Sequence, residues 1–120
     1  MEIYKEFKVE AAHRLTGVCD GHPCRVLHGH TYTIVIHISG PVDTQTGMVL
    51  DFGELKKHAA PVIAQLDHHC LNDIPGLENP TSENLLRWLW RRLKPALPGL
   101  AKLVVQETPT CGAIYCGEDE

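Results

Sequence analysis

The chain has no apolar run approaching the ~18 residues of a membrane-spanning helix, and its first residues, MEIYKEFKVE, do not read as a secretory signal. Internal repeats, low-complexity tracts and linkers are also missing, so the 120 residues are expected to form one domain. Basic charge is not in excess. Eleven Lys+Arg against 15 Asp+Glu give a formal net charge of -4, whereas nucleic-acid-binding domains carry a clustered basic face. The one basic concentration, Arg87, Arg91, Arg92 and Lys94, falls on a helical pattern and reads as a solvated face. The dinucleotide fingerprint G-x-G-x-x-G is absent. Five cysteines, an odd number without a secretion signal, do not make a disulfide framework. They are expected to be reduced, with Cys70, Cys111 and Cys116 small buried or partly buried residues. The expectation is a soluble, cytoplasmic protein with neither nucleic acid nor membrane as partner. So short a chain buries only about two-thirds of its unfolded surface, which leaves little room for a deep pocket and leaves oligomerisation open.

Periodicity supplies the elements that are present. Residues 2–13 alternate, with Ile3, Phe7, Val9, Ala11 and His13 on one parity, the signature of a strand. Residues 14–25, with Gly17, Gly21 and Pro23, read as an irregular loop. From Thr31 to Ser39 the alternation returns, Tyr32, Ile34, Ile36 and Ile38 facing one way. MVLDF, residues 48–52, reads as a short strand completing a hairpin. Leu55, Ala59, Val62, Ile63 and Leu66 have helical spacing, with Pro61 predicting a kink or break. A second helix follows Thr81 or Ser82 as cap, burying Leu85, Leu86, Leu89, Trp90 and Leu93. Two strands, KLVVQET and AIYC, close the chain. The order predicts an α+β fold with helices packed on one face of an antiparallel sheet.

The chemistry concentrates in CRVLHGHTYTIVIHI, residues 24–38. His28 and His30 are two apart on a strand and therefore share a face, with Gly29 between them adding no bulk. Their parity is that of Tyr32 and Ile34, the inward face, where an unpartnered polar group costs about 1–3 kcal/mol. His13 ends the preceding strand on its own inward parity. If those strands pair, three imidazoles meet at one end of the sheet, and three histidines with an open position is the pattern of a catalytic zinc site. A lone buried histidine is more often a hydrogen-bonded core residue, so the pattern gains weight only from its neighbours. Cys24 lies on the adjoining loop with His22, either as a fourth ligand or, better suited to an open site, as a base. Asp67 beside His68 offers a carboxylate that orients an imidazole, or simply a charged helix terminus. Glu107 shares parity with Leu103 and Val105, and a carboxylate on that face suits a heterocycle presenting paired N–H groups.

The segments FKVEAAHRL, CRVLHGHTY, DFGELK, LDHHCLND, ENPTSENL and QETPTCGAIY resemble the 6-pyruvoyltetrahydropterin synthase and 6-carboxytetrahydropterin synthase family almost end to end. The resemblance implies the tunnelling fold, a four-stranded antiparallel sheet with two helices on one face. Subunits of that fold oligomerise into a barrel, here expected as a hexamer, with active sites at subunit interfaces. It implies one Zn2+ per subunit on His13, His28 and His30, and Cys24 as the catalytic thiol. Asp67 with His68 would be a second proton-transfer pair, and Glu107, helped by Thr81 and Ser82, would bind the pterin ring. The implied substrate is 7,8-dihydroneopterin triphosphate. Two outcomes stay open: loss of acetaldehyde and triphosphate to leave a 6-carboxy group, as in queuosine biosynthesis, or triphosphate elimination with retention of the side chain. The run LNDIPGLENPTSE favours the first. A non-catalytic zinc module or a zinc hydrolase remains the reading from a different class, and Arg14 and Arg25 flank the site without an assigned role.

Overall fold

The computed structural model describes residues 1–120. Two long strands, β1 (Glu2–His13) and β2 (His28–Ser39), lead into helix α1 (Phe52–Leu66); a short β3 (His69–Cys70) and helix α2 (Ser82–Leu93) precede β4 (Leu100–Thr108) and β5 (Cys111–Tyr115). They form one sheet in the order β3-β1-β2-β4-β5. The β1–β2 register sets Val9 opposite Tyr32, Ala11 opposite His30 and His13 opposite His28. Alternation then puts Val9, Ala11, Tyr32, Ile34, Ile36, Leu103 and Val105 on one buried face. Leu55, Ala59, Val62, Ile63 and Leu66 of α1 close over that face together with Leu85, Leu86, Trp88, Leu89, Trp90 and Leu93 of α2. Apolar burial at ~25 cal/mol per Å2 is the main stabilising contribution. The opposite face carries Tyr4, Lys8, Glu10 and Thr31, all exposed.

Four expectations change. The sheet has five strands rather than four, because the chain leaving α1 turns at His68 and lays His69 and Cys70 parallel to Ala11 and Ala12. His68 takes a positive φ of 59° and its N–H donates to the Glu10 carbonyl at 2.6 Å. A two-residue strand carries no periodicity for a pattern to reveal. The MVLDF segment is not a strand: Asp43 accepts from the amides of Gln45 and Thr46 to build a turn, and Asp51 becomes the N-cap of α1, accepting from Gly53 N at 2.6 Å. Pro61 does not break α1, which runs through it. Pro61 and Lys57 both lie on the exposed side, so the carbonyl left without its amide partner faces water. Of the cysteines, Cys111 and Cys116 are exposed rather than buried, and Cys70 is half-buried.

Candidate active site

His13, His28 and His30 stand at the end of the sheet where the apolar face runs out. One ligand atom from each lies within 4.8 Å of the others. His13 is 1% exposed, and its Nδ1–H donates to the Pro80 carbonyl at 2.9 Å, with the Tyr32 hydroxyl at 3.1 Å. His28 Nδ1–H donates to the Val26 carbonyl at 2.6 Å. A carbonyl only accepts, so each contact fixes the proton on Nδ1 and leaves a lone pair on Nε2. Those two Nε2 atoms are 3.1 Å apart. His30 Nε2 is buried without a hydrogen-bond partner, and burial, which outweighs the nearby Glu107 carboxylate, pushes the His30 pKa down toward the neutral ligand form.

Glu107 adds a carboxylate oxygen 3.4 Å from His13 Nε2 and 3.7 Å from His30 Nε2. The Nε2 lone pairs of His13 and His28, the unpartnered Nε2 of His30 and a carboxylate oxygen of Glu107 thus crowd one spot, with no proton left to share between His13 and His28. A cation resolves all of these contacts together, and neutral imidazoles oriented through their second nitrogen by carbonyls are the usual support of a metal ligand set. The residues fit a borderline divalent ion such as zinc.

The other expected residues surround this point at different removes. Cys24 sits half-buried in a single 3-10 turn, Pro23–Arg25. Its N–H donates to His22 Nδ1 at 3.1 Å and its carbonyl accepts from Leu15 N at 2.7 Å, which fastens the turn beside the end of β1. Cys24 is outside the set of converging ligand atoms, so a base fits it better than a fourth ligand. Thr81 is the N-cap of α2, accepting from Asn84 N at 3.1 Å, and Ser82 is the first helical residue.

Asp67 and His68 lie at the β3 edge. The Asp67 carboxylate accepts from Glu10 N at 2.9 Å and from His68 Nδ1 at 3.0 Å. These contacts, the backbone amide first, hold its pKa below the usual aspartate value. His68, His69 and Cys70 share a cavity of about 410 Å3 with His30 and Gly29; the ring of His69 donates from Nδ1 to the Asp67 carbonyl at 2.8 Å. Because the folded pKa is depressed, Asp67 contributes stability above the unfolded value of about 3.9, and that contribution disappears as pH falls through the lower folded value. Asp67→Asn is therefore expected to lower the unfolding midpoint at neutral pH and to flatten its acid limb, checked by thermal melts from pH 7 to about 3.

Sequence reasoning did not find the residues that hold the three histidines in place. Asn72 accepts from Arg14 N at 2.9 Å and donates to the carbonyls of Arg14 at 2.8 Å and Glu78 at 3.2 Å. Asn79 accepts from Thr16 N at 3.1 Å, and its carbonyl accepts from the Asn84 amide at 2.9 Å. Together they bind the loop before α2 to the exit of β1 and so place the Pro80 carbonyl on His13. A turn-rich run DIPGLENP was the only signal, and it does not specify a partner. Asn72→Ala is expected to cost about 1–3 kcal/mol and to weaken metal affinity about tenfold, read by denaturant melts and by competition with a chromogenic chelator.

An α+β domain bearing a three-histidine site fit for a metal, open toward a polar cavity, is the class that fold and site define. The profile described as 6-pyruvoyl tetrahydropterin synthase matches residues 2–118, and the chain belongs to that family. It is 43% identical over 119 residues to a Synechocystis protein named 6-carboxy-5,6,7,8-tetrahydropterin synthase, covering 94% of this chain and 91% of that one. A Pyrococcus furiosus protein named dihydroneopterin monophosphate aldolase is 42% identical over 77 residues, 64% of each chain. The solved 6-pyruvoyl tetrahydropterin synthase of Caenorhabditis elegans superposes with a TM-score of 0.90 at 29% identity, over 98% of this chain and 95% of that one.

Proposed function

We propose that the chain is a zinc-dependent carbon-carbon lyase. It converts 7,8-dihydroneopterin triphosphate to 6-carboxy-5,6,7,8-tetrahydropterin, with uptake of water and release of acetaldehyde and triphosphate, within queuosine biosynthesis. The observation that carries the reading is the set of Nε2 lone pairs of His13 and His28 beside the orphaned His30 nitrogen, in a chain 43% identical to a relative of that name.

His13, His28 and His30 hold the ion. Zinc, when bound, supplies Lewis acidity toward the hydroxyl groups of the substrate side chain. The Cys24 thiolate takes a proton from a side-chain carbon, and His68, oriented by Asp67, moves the second proton at its exposed imidazole. Glu107 accepts from the paired N–H groups of the pterin, with Thr81 and Ser82 at its rim. The ring is reduced at the expense of its own side chain, so no nicotinamide takes part.

A cytoplasmic homo-hexamer of single-domain subunits, each 1–120, completes the reading. β3 pairs only with Ala11 and Ala12, which leaves the rest of the outer edge of β1 unpaired, and β5 is the opposite edge. Free edges of that length invite pairing with other copies. His68 at one edge and Glu107 on β4 are separated by β1 and β2, so a site using both is served naturally by neighbouring subunits.

Mass spectrometry of the products from 7,8-dihydroneopterin triphosphate, with metal-stripped protein as control, tests the assignment. A metal-dependent 6-carboxytetrahydropterin peak with acetaldehyde is expected. A pyruvoyl product would move the chain to the branch of the Caenorhabditis elegans protein, and no metal-dependent product would defeat the enzymatic reading.

A further inference from the structure

Between β1 and β2 one short turn carries the thiol and leads straight into a metal-site histidine. Gly21, at a φ of 88°, reverses the chain. The 3-10 turn Pro23–Arg25 follows, closed by Arg25 N–H on the His22 carbonyl at 3.0 Å and by Val26 N–H on the Pro23 carbonyl at 3.2 Å. Pro23 has no N–H, so Cys24 offers the first free amide of the turn. His22, extended at φ -68° and ψ 133°, takes that amide with its side chain: Cys24 N–H donates to His22 Nδ1 at 3.1 Å. The bond needs a lone pair on Nδ1, which puts the imidazole proton on Nε2. Two residues beyond the thiol, the Val26 carbonyl accepts from His28 Nδ1 at 2.6 Å. The other ties are independent of His22: Leu15 N–H donates to the Cys24 carbonyl at 2.7 Å, and Arg25 Nη1 donates to the Val18 carbonyl at 2.7 Å.

We propose that His22 is a positioning residue for the reaction: by capping the turn through Nδ1 it fixes where the Cys24 thiol stands relative to the His28 end of the metal site. The inference rests on the assignment of Cys24 as a proton-transfer group. Side-chain acceptance of an early amide is what holds the start of a helical turn. Here the turn is a single one and the amide belongs to the residue that carries the chemistry, so a lost cap is felt at the thiol itself. A reacting group displaced by about 1 Å can cost about a hundredfold in rate. His22 is exposed, with no buried contact to lose, and its removal should leave the core untouched. The rival use of such a residue is to activate the thiol as a charged neighbour. An imidazole whose Nδ1 accepts from the main chain is neutral, which favours the capping role.

The test compares wild type with His22→Ala, His22→Asn and His22→Gln, all at saturating zinc. Asn sets an oxygen where Nδ1 stands, Gln sets its acceptor farther out, and Ala has none. Two readouts are taken: kcat and KM on 7,8-dihydroneopterin triphosphate, and the rate at which iodoacetamide alkylates Cys24, resolved by peptide mass spectrometry from the exposed Cys19, Cys111 and Cys116. His22→Ala and His22→Gln are expected to lower kcat about tenfold with KM little changed. Both should speed alkylation severalfold, because the freed turn exposes a thiol that is half-buried in wild type. His22→Asn should recover most of kcat and the slow alkylation. If kcat and alkylation fell together, with no rescue by Asn, His22 would be activating the thiol and the capping role would be overturned. Unchanged kcat and alkylation in His22→Ala would overturn it as well. Should wild type fail to turn over the triphosphate, the proposed function falls, while the alkylation comparison still decides His22.

Discussion

Alanine at position 13 is expected to leave the protein without stoichiometric zinc and to lower turnover by at least about a thousandfold. His13 is the most buried of the three imidazoles, and it is the one whose ring touches the loop, the core and the site together, through the Pro80 carbonyl, Tyr32 and His28. Its removal takes away a ligand and also strands the Pro80 carbonyl, at about 1–3 kcal/mol. A separate readout isolates the metal from the fold. Binding to the native state alone stabilises it by about 4 kcal/mol when free metal is a thousandfold above the dissociation constant. Chelation should therefore lower the unfolding midpoint of wild type by several degrees and leave that of His13→Ala unmoved. A variant that still bound one zinc per chain and still responded to chelator would remove His13 from the ligand set.

Cys24→Ala is the second large effect, and it should separate chemistry from structure. What the fold needs at this position is supplied by the main chain: the amide to His22 and the carbonyl to Leu15 survive any side chain. The variant is expected to fold normally, to bind zinc with wild-type stoichiometry, and to lose about 10^2 to 10^4 in kcat, the range for removing a positioned proton-transfer group. Intact metal with lost turnover marks Cys24 as a base. Lost metal would make it a ligand, and full turnover would return the three histidines to a structural role.

Much of this arrangement was legible because a strand has a period of two. Parity placed His13 with Val9 and Ala11, and His28 and His30 with Tyr32 and Ile34, and the register that makes His13 face His28 follows once β1 and β2 pair without a shift. Glu107 was recognisable by the same rule, its parity shared with Val105. Residue type narrowed the α2 cap to Thr81 or Ser82, of which Thr81 is the one, and spacing gave its buried stripe apart from Trp88. What escaped is contact between distant parts of the chain. The Pro80 carbonyl that sets the His13 tautomer lies 67 residues away, and Asn72 reaches across 58 residues to Arg14; neither leaves a periodic trace. β3 is only two residues long, laddered to Ala11 and Ala12 and too short for any periodicity, and Met48–Leu50 were apolar enough to imitate a strand while serving as the approach to a helix cap. Pro61 did not break α1, since the one hydrogen bond it removes is lost on the exposed side of the helix.

The claim on which the rest depends is that His13, His28 and His30 hold the catalytic ion together, and anomalous diffraction at the zinc absorption edge from crystals of the active, metal-loaded protein addresses it directly. One peak per chain, about 2.1 Å from Nε2 of each of the three histidines, is the predicted result. A peak bonded instead to Cys24 Sγ, or an empty histidine site in protein that still turns over its substrate, would contradict the account.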